Sequence, residues 1–152
     1  MANFSPYFTF DSMTDSLNNT HLVPQNRVDA MKYINAGKRL SKLLESIRHI
    51  LGDHPINVNS GFRNHALNTA VKSKAKNSKH TVFEACDINP RAMGIKEAFS
   101  ALITAQKGGL LPDLRKVLQE GSWLHVEVSM SPGDYRGFFV SKDGNLTWEK
   151  VA

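Results

Sequence analysis

The sequence predicts an α+β fold: one domain, with a small antiparallel sheet and helices packed on one side of it. Three observations predict this. Helical periodicity comes first along the chain and alternating, hairpin-linked segments come last, the order of an α+β rather than a βαβ protein. The length, 152 residues, suits one hydrophobic core and needs no staple. Apolar residues make up 41% and charged residues 22%, so the chain has the composition of a globule and not of a disordered segment.

The elements follow in order. Residues 1–25 read as an irregular arm within a single domain spanning 1–152. Pro6, Asn18-Asn19 and Pro24 punctuate it, while Phe4, Tyr7, Phe8 and Phe10 are expected to pack it onto the core. From about Asn26 to Leu51, Val28, Met31, Ile34, Leu40, Leu43, Leu44, Ile47, Ile50 and Leu51 recur at helical spacing, with Gly52 as the stop. Ile56–Ser60 alternates and predicts a short strand with Ile56 and Val58 inward. Asn64 is placed to cap a short helix to about Ser73, and the lysine-rich stretch Lys72–Lys79 reads as a loop. Ala85–Ile88 predicts a second strand, ended by Asn89-Pro90. Ile95–Gln106 is helical by period and stops at Gly108-Gly109. Trp123–Met130 alternates: Leu124, Val126, Val128 and Met130 face one way, Trp123, His125, Glu127 and Ser129 the other. Phe138–Val140 and Leu146–Val151 flank Asp143-Gly144, a hairpin turn signal.

Composition excludes several classes. One cysteine, Cys86, permits neither an intramolecular disulfide nor a multi-cysteine zinc site. Cys86 is expected to be a buried structural thiol. No apolar run is long enough to span a membrane, and Met1–Ser12 lacks the layout of a signal peptide. The net charge of +5 suits an acidic partner. A nucleic-acid binder would cluster its cations among aromatics. Only Lys72, Lys74, Lys76 and Lys79 cluster, with no aromatic among them, so no nucleic acid is expected.

Three residues carry the chemistry. His125 lies on the polar face of an otherwise apolar strand. Asp87 interrupts the apolar run Ala85-Cys86-Asp87-Ile88, where a carboxylate is costly unless paired or metal-bound. His80 precedes it by seven residues. On one helix that separation is about 10 Å, too far to share a metal, so a turn must fold His80 back towards Asp87. Two imidazoles and a carboxylate leave one position open for water, the arrangement of catalytic zinc. Each residue also has a plainer reading: an exposed loop histidine, a turn-capping aspartate and a hydrogen-bonded core histidine.

The run Ser60-Gly61-Phe62-Arg63, Leu67-Asn68, Ser78-Lys79-His80, Ala85-Cys86-Asp87-Ile88 and Trp123-Leu124-His125-Val126 resembles the M15 peptidase family. These are zinc D-alanyl-D-alanine carboxypeptidases and related phage peptidoglycan endopeptidases, of hedgehog/D-Ala-D-Ala peptidase-like fold. The resemblance covers most of the chain. It implies Zn²⁺ held by His80, Asp87 and His125, with Arg63 contacting the substrate carboxylate or backbone, and Ser60, Ser78 and Trp123 in the cleft. It implies hydrolysis of an amide bond in a peptidoglycan stem or cross-link peptide, by a carboxypeptidase or an endolysin-type endopeptidase. A non-catalytic zinc-binding module of the same fold is the alternative. A monomer is expected, made without a signal peptide, cytoplasmic until released or virion-associated, and acting at the cell wall.

Two departures from the family pattern stand out. Phe83 occupies a position, four residues before Asp87, where the family usually has glycine. Many members also carry an acid three residues before the last histidine, where this chain has Ser122. Glu120 is the favoured general base, because a Gly121-Ser122 hairpin loop would pair it with Trp123 on the His125 face. Glu127 is the second candidate on that face.

Overall fold

The computed structural model describes residues 4–73, 77–141 and 148–152. Among these, six strands form one sheet in the order β1-β2-β4-β3-β5-β6. The strands are β1 (Ile56–Ser60), β2 (Ala85–Pro90), β3 (Leu114–Glu120), β4 (Trp123–Val128), β5 (Gly137–Ser141) and β6 (Trp148–Lys150). The helices are α1 (Val23–Ala30), α2 (Ile34–Ile50), α3 (His65–Ala70) and α4 (Ile95–Lys107). The fold is therefore α+β, and all strand pairs are antiparallel except β3–β5, which is parallel. Sequence pattern reached β3 only at its end, through the Glu120–Trp123 pairing across Gly121-Ser122, and did not reveal its extent or its parallel pairing with β5, because register between distant segments leaves no local signal. The expected Asp143-Gly144 turn lies outside the described residues, although β5 and β6 on either side of it do pair antiparallel.

Helices α2 and α4 lie against one face of the sheet. Their Leu40, Leu44, Ile47, Phe99 and Leu102 meet Ile88, Val117, Leu124, Val126, Val128 and Phe138 from the strands, all buried. The stripe on α2 follows the helical period, which is why this helix was legible. Its stop is a Schellman motif: the N–H groups of Gly52 and Asp53 donate to the carbonyls of His49 and Arg48, with Gly52 at φ +94°.

The N-terminal half of the predicted long helix differs from expectation. A 3₁₀ turn at Met31–Tyr33 separates α1 from α2, and Tyr33 leaves the helical well at φ −114°. Val28 and Met31 are exposed, and the buried residues of α1 are Val23, Asn26 and Ala30. An amide, not an aliphatic, holds that turn in place. Asn26 Nδ2 donates to the carbonyls of Thr14 and Phe62, and its Oδ1 accepts from the Asn64 N–H. A hydrophobic count cannot see such an anchor. The second strand also runs two residues further than expected, because Pro90 sits opposite Ile56 on its neighbour.

The arm packs as its aromatics predict. Phe8 and Met13 are fully buried, and the Phe4 and Phe10 rings meet edge to face at 5.7 Å. Tyr7 is the exception, exposed beneath the Arg48 guanidinium at 3.6 Å.

Candidate metal centre and cleft

The site is built on the sheet face opposite the helices. Asp87 on β2 and His125 on β4 are direct cross-strand partners. Side chains of an antiparallel pair in register share a face, so this pairing alone brings the two together. His125 Nδ1 lies 3.0 Å from Asp87 Oδ1, and His80 Nε2 lies 3.3 Å from the same oxygen.

His80 arrives by the turn that the seven-residue spacing demands. It sits in a single 3₁₀ turn, Lys79–Val82, whose N-terminus is capped by Ser78: the Ser78 Oγ accepts from the His80 N–H. The turn ends on Phe83, which takes the left-handed conformation at φ 63°, ψ 30°. A non-glycine residue there costs about 1–2 kcal/mol. Burial offsets the strain. The Phe83 ring is fully buried, 5.4 Å from Phe62, and fills the space that Gly37 leaves on α2, where a Cβ would lie 2.7 Å from the ring. Phe83 therefore takes a backbone conformation that favours glycine and adds core contact in return.

Each imidazole has its second nitrogen pinned. His80 Nδ1–H donates to the Gly61 carbonyl at 2.7 Å, and His125 Nε2–H donates to Glu127 Oε2 at 2.8 Å. This leaves His80 Nε2 and His125 Nδ1 facing Asp87. The three donor atoms lie within 4.8 Å of one another. Bonds of about 2.0–2.2 Å to a tetrahedral zinc imply donor–donor edges of about 3.3–3.6 Å, a little longer than the two Asp87 contacts of 3.0 and 3.3 Å. Histidines whose far nitrogens are held by a carbonyl and a carboxylate are characteristic of metal ligation. The donor set, its spacing and its pinned tautomers fit Zn²⁺.

Gly61 makes the His80 anchor possible. A Cβ there would fall 2.1 Å from the Met13 carbonyl oxygen, so only glycine lets the arm and this strand end meet. The next residues aim Arg63. The N–H of Phe62 donates to Met13 O, the N–H of Arg63 donates to His80 O, and Asn64 is held by Asn26. Asn64 also caps α3 through its Oδ1, as expected, though α3 ends at Ala70.

Electrostatics separates the carboxylates. Burial disfavours the charged form of Asp87, yet the field of His80 and close contact with both imidazoles hold its carboxyl well below the usual carboxylate range. Against burial, hydrogen bonds to Asp87 and Glu127 push His125 up to about 9. Burial pushes His80 down. Burial likewise works against ionisation of Glu127, but His125, Lys116 and Arg115 lower it overall. Glu120 moves the other way: burial and the Asp87 charge raise it.

A cleft of about 830 Å³ opens over these groups, walled by Arg63, Ser78, Glu120 and Trp123 together with Lys116 and Trp148. Glu120 stands opposite Trp123 across the Gly121-Ser122 turn, and Leu118 stands opposite His125, so Glu120 is diagonal to His125. Two donors on the cleft wall, Arg63 Nε and Trp123 Nε1, are buried and make no hydrogen bond of good geometry among the described residues. The Trp123 indole still lies near enough to Glu120 to favour its ionised form. Ser60 is placed elsewhere. It sits opposite Asp87 on β1 but lines a neighbouring groove that, among the described residues, shares only Arg63 with the cleft. Sequence reasoning missed Arg115 and Asp134, which stand behind Glu127.

The same segments are those that a comparison with known proteins selects. No curated protein matches the chain. A family model described as Peptidase M15 matches residues 6–127, well over half of the sequence, and takes in every residue placed at the cluster and cleft up to Glu127. The chain belongs to the peptidase M15 family.

Proposed function

We propose that this protein is a zinc-dependent peptidase that hydrolyses an amide bond in peptidoglycan peptides. The observation that carries the reading is a His80–Asp87–His125 cluster with both far imidazole nitrogens pinned, at the floor of a cleft. Membership of a peptidase family supports it.

His80, Asp87 and His125 would hold the zinc, which would supply Lewis acidity and a water of lowered pKa, about 7. The chain's own residues do the rest. Glu120 takes a proton from the attacking water onto its carboxylate and returns it to the leaving amine. Its raised affinity for a proton, caused by burial and the Asp87 charge, suits that exchange. Glu127 is less suited, because its two oxygens are engaged by Arg115 and His125. Arg63 presents a buried donor without a partner among the described residues, and its planar fork matches a carboxylate such as a peptide C-terminus. Trp123 walls the cleft beside Glu120. Ser78 acts on the site by capping the His80 turn, and Ser60 lines an adjoining groove. The excess of cations suits an anionic cell wall, where we place the activity.

The test is digestion of purified cell walls by the zinc-loaded protein, with mass spectrometry of the released fragments. Loss of a terminal residue identifies a carboxypeptidase; separated stem peptides identify an endopeptidase. Zinc bound at one per chain with no new fragments identifies a non-catalytic zinc module.

A further inference from the structure

We propose that Arg115 is a positioning residue for the metal centre, acting through Glu127 on His125. The inference rests on the reading that His80, Asp87 and His125 hold zinc.

A break in sheet register is the starting point. Along β3 and β4, Leu114 is opposite Val128 but Lys116 is opposite Glu127, so Arg115 is an extra residue in a β-bulge. A bulge sets two residues against one and re-aims a side chain. Here it lets consecutive cations reach one carboxylate. Arg115 Nη1 pairs with Glu127 Oε1, and Lys116 Nζ lies 3.7 Å from Glu127 Oε2. In a regular strand, Arg115 and Lys116 would point to opposite faces.

The guanidinium is itself fixed. Its Nε donates to Asp134 Oδ2 at 3.1 Å, and the Arg136 N–H donates to the Arg115 carbonyl at 2.7 Å. Asp134, Arg115, Glu127 and His125 thus form one line of contacts ending at the ring that faces Asp87. Glu127 is only 4% exposed, so its charge needs a partner where it stands. With Oε1 held by Arg115, Oε2 is left to accept the His125 Nε2–H. That bond keeps the proton on Nε2 and directs Nδ1 towards Asp87 and His80. Lysine cannot replace this geometry, because an ammonium is a point charge while the fork serves Glu127 and Asp134 together.

The test is zinc affinity, measured by competition with a chromophoric chelator at fixed neutral pH, on the full chain with folding checked by circular dichroism. Arg115→Ala should weaken Zn²⁺ binding about 10–100-fold, the usual cost of losing support behind a ligand. Arg115→Lys should recover part of it. In a Glu127→Gln background, adding Arg115→Ala should change affinity less than about twofold, since the route through Glu127 is already cut. Wild-type zinc affinity in folded Arg115→Ala overturns the proposal. So does a further loss of about tenfold in the Glu127→Gln background. Should Arg115→Ala not fold, the double variant still decides, because it leaves no buried carboxylate unpaired. His125→Ala separates the two readings. Wild-type zinc affinity there removes the metal centre itself, whereas weak binding there beside unchanged Arg115→Ala removes only the role of Arg115.

Discussion

Strands β2 and β4 carry two unlike surfaces on one backbone. On the helix side, Cys86, Ile88, Leu124, Val126 and Val128 are fully buried among aliphatic and aromatic neighbours. On the other side, Asp87, His125 and Glu127 are nearly as enclosed, yet they are held by ion pairs and hydrogen bonds. Burial does not distinguish the faces; the kind of partner does. Apolar packing stabilises the first face whatever the solution contains. The second gathers charges whose desolvation is repaid only by mutual pairing. The fold is therefore secured on one face and free to be specialised on the other.

The sharpest way to break this comparison is to remove a donor from the polar face. His80→Ala or His125→Ala should abolish stoichiometric zinc binding and reduce wall hydrolysis to background, while circular dichroism still reports the wild-type fold. Chelation of the wild-type protein should do the same reversibly. Retained zinc in either variant, by elemental analysis, would break the division, since it would place the metal elsewhere.

Next in size is the proton-transfer step. Glu120→Gln keeps shape and hydrogen-bonding reach but cannot act as a base. Turnover should fall about 10²–10⁴-fold with zinc still bound. Glu127→Gln should lose less turnover at equal zinc occupancy, its loss appearing mainly as weaker metal binding. If Glu127→Gln is the inactive protein at full occupancy and Glu120→Gln is active, the two glutamates exchange roles.

How far each face was legible follows from the same alternation. Trp123–Val128 announces two faces by its period, and Asp87 is conspicuous because it interrupts an apolar strand. His80, Asp87 and His125 stood out by residue type and spacing, but plainer readings stayed open for each, and it was the family resemblance that implied a ligand set. Arg115 could not. Its reach depends on a bulge, which resets the period at a point the residue types do not mark. Asn26 was hidden for a related reason: a buried amide does a core residue's work inside a helix. The pairing of Ser60 with Asp87 was equally hidden, because Asn59 is the odd residue in a second register shift, between Val58 and Ser60. Pattern reports a regular element; it is silent where one is deliberately broken.

On the apolar face, Leu124→Ala should lower unfolding free energy by about 2–5 kcal/mol, the cost of a buried Leu truncated in a packed core. Denaturant titration measures it. Protein that remains folded should still bind one zinc, since the Leu124 side chain points away from His125. A variant that stays folded but loses zinc would show that core packing sets the donor geometry directly.

The smallest effect is expected at the closest approach of the two faces. Cys86 is covalently next to Asp87 yet belongs to the core: it is fully buried, and its Sγ lies 3.8 Å from the Asp87 carbonyl, on the backbone and not on the carboxylate. Burial, reinforced by the Asp87 charge, pushes its thiol well above the ordinary range, so it is a poor nucleophile and a poor ligand at neutral pH. Cys86→Ala removes one sulfur and should cost about 1 kcal/mol of stability, the low end for a small core truncation. Zinc stoichiometry and most activity should persist, and a thiol reagent should label the native wild type slowly compared with the denatured chain. Loss of zinc in folded Cys86→Ala would mean that the strand does not insulate its two sides at this point. Period-two alternation would then describe where side chains point without describing what they control.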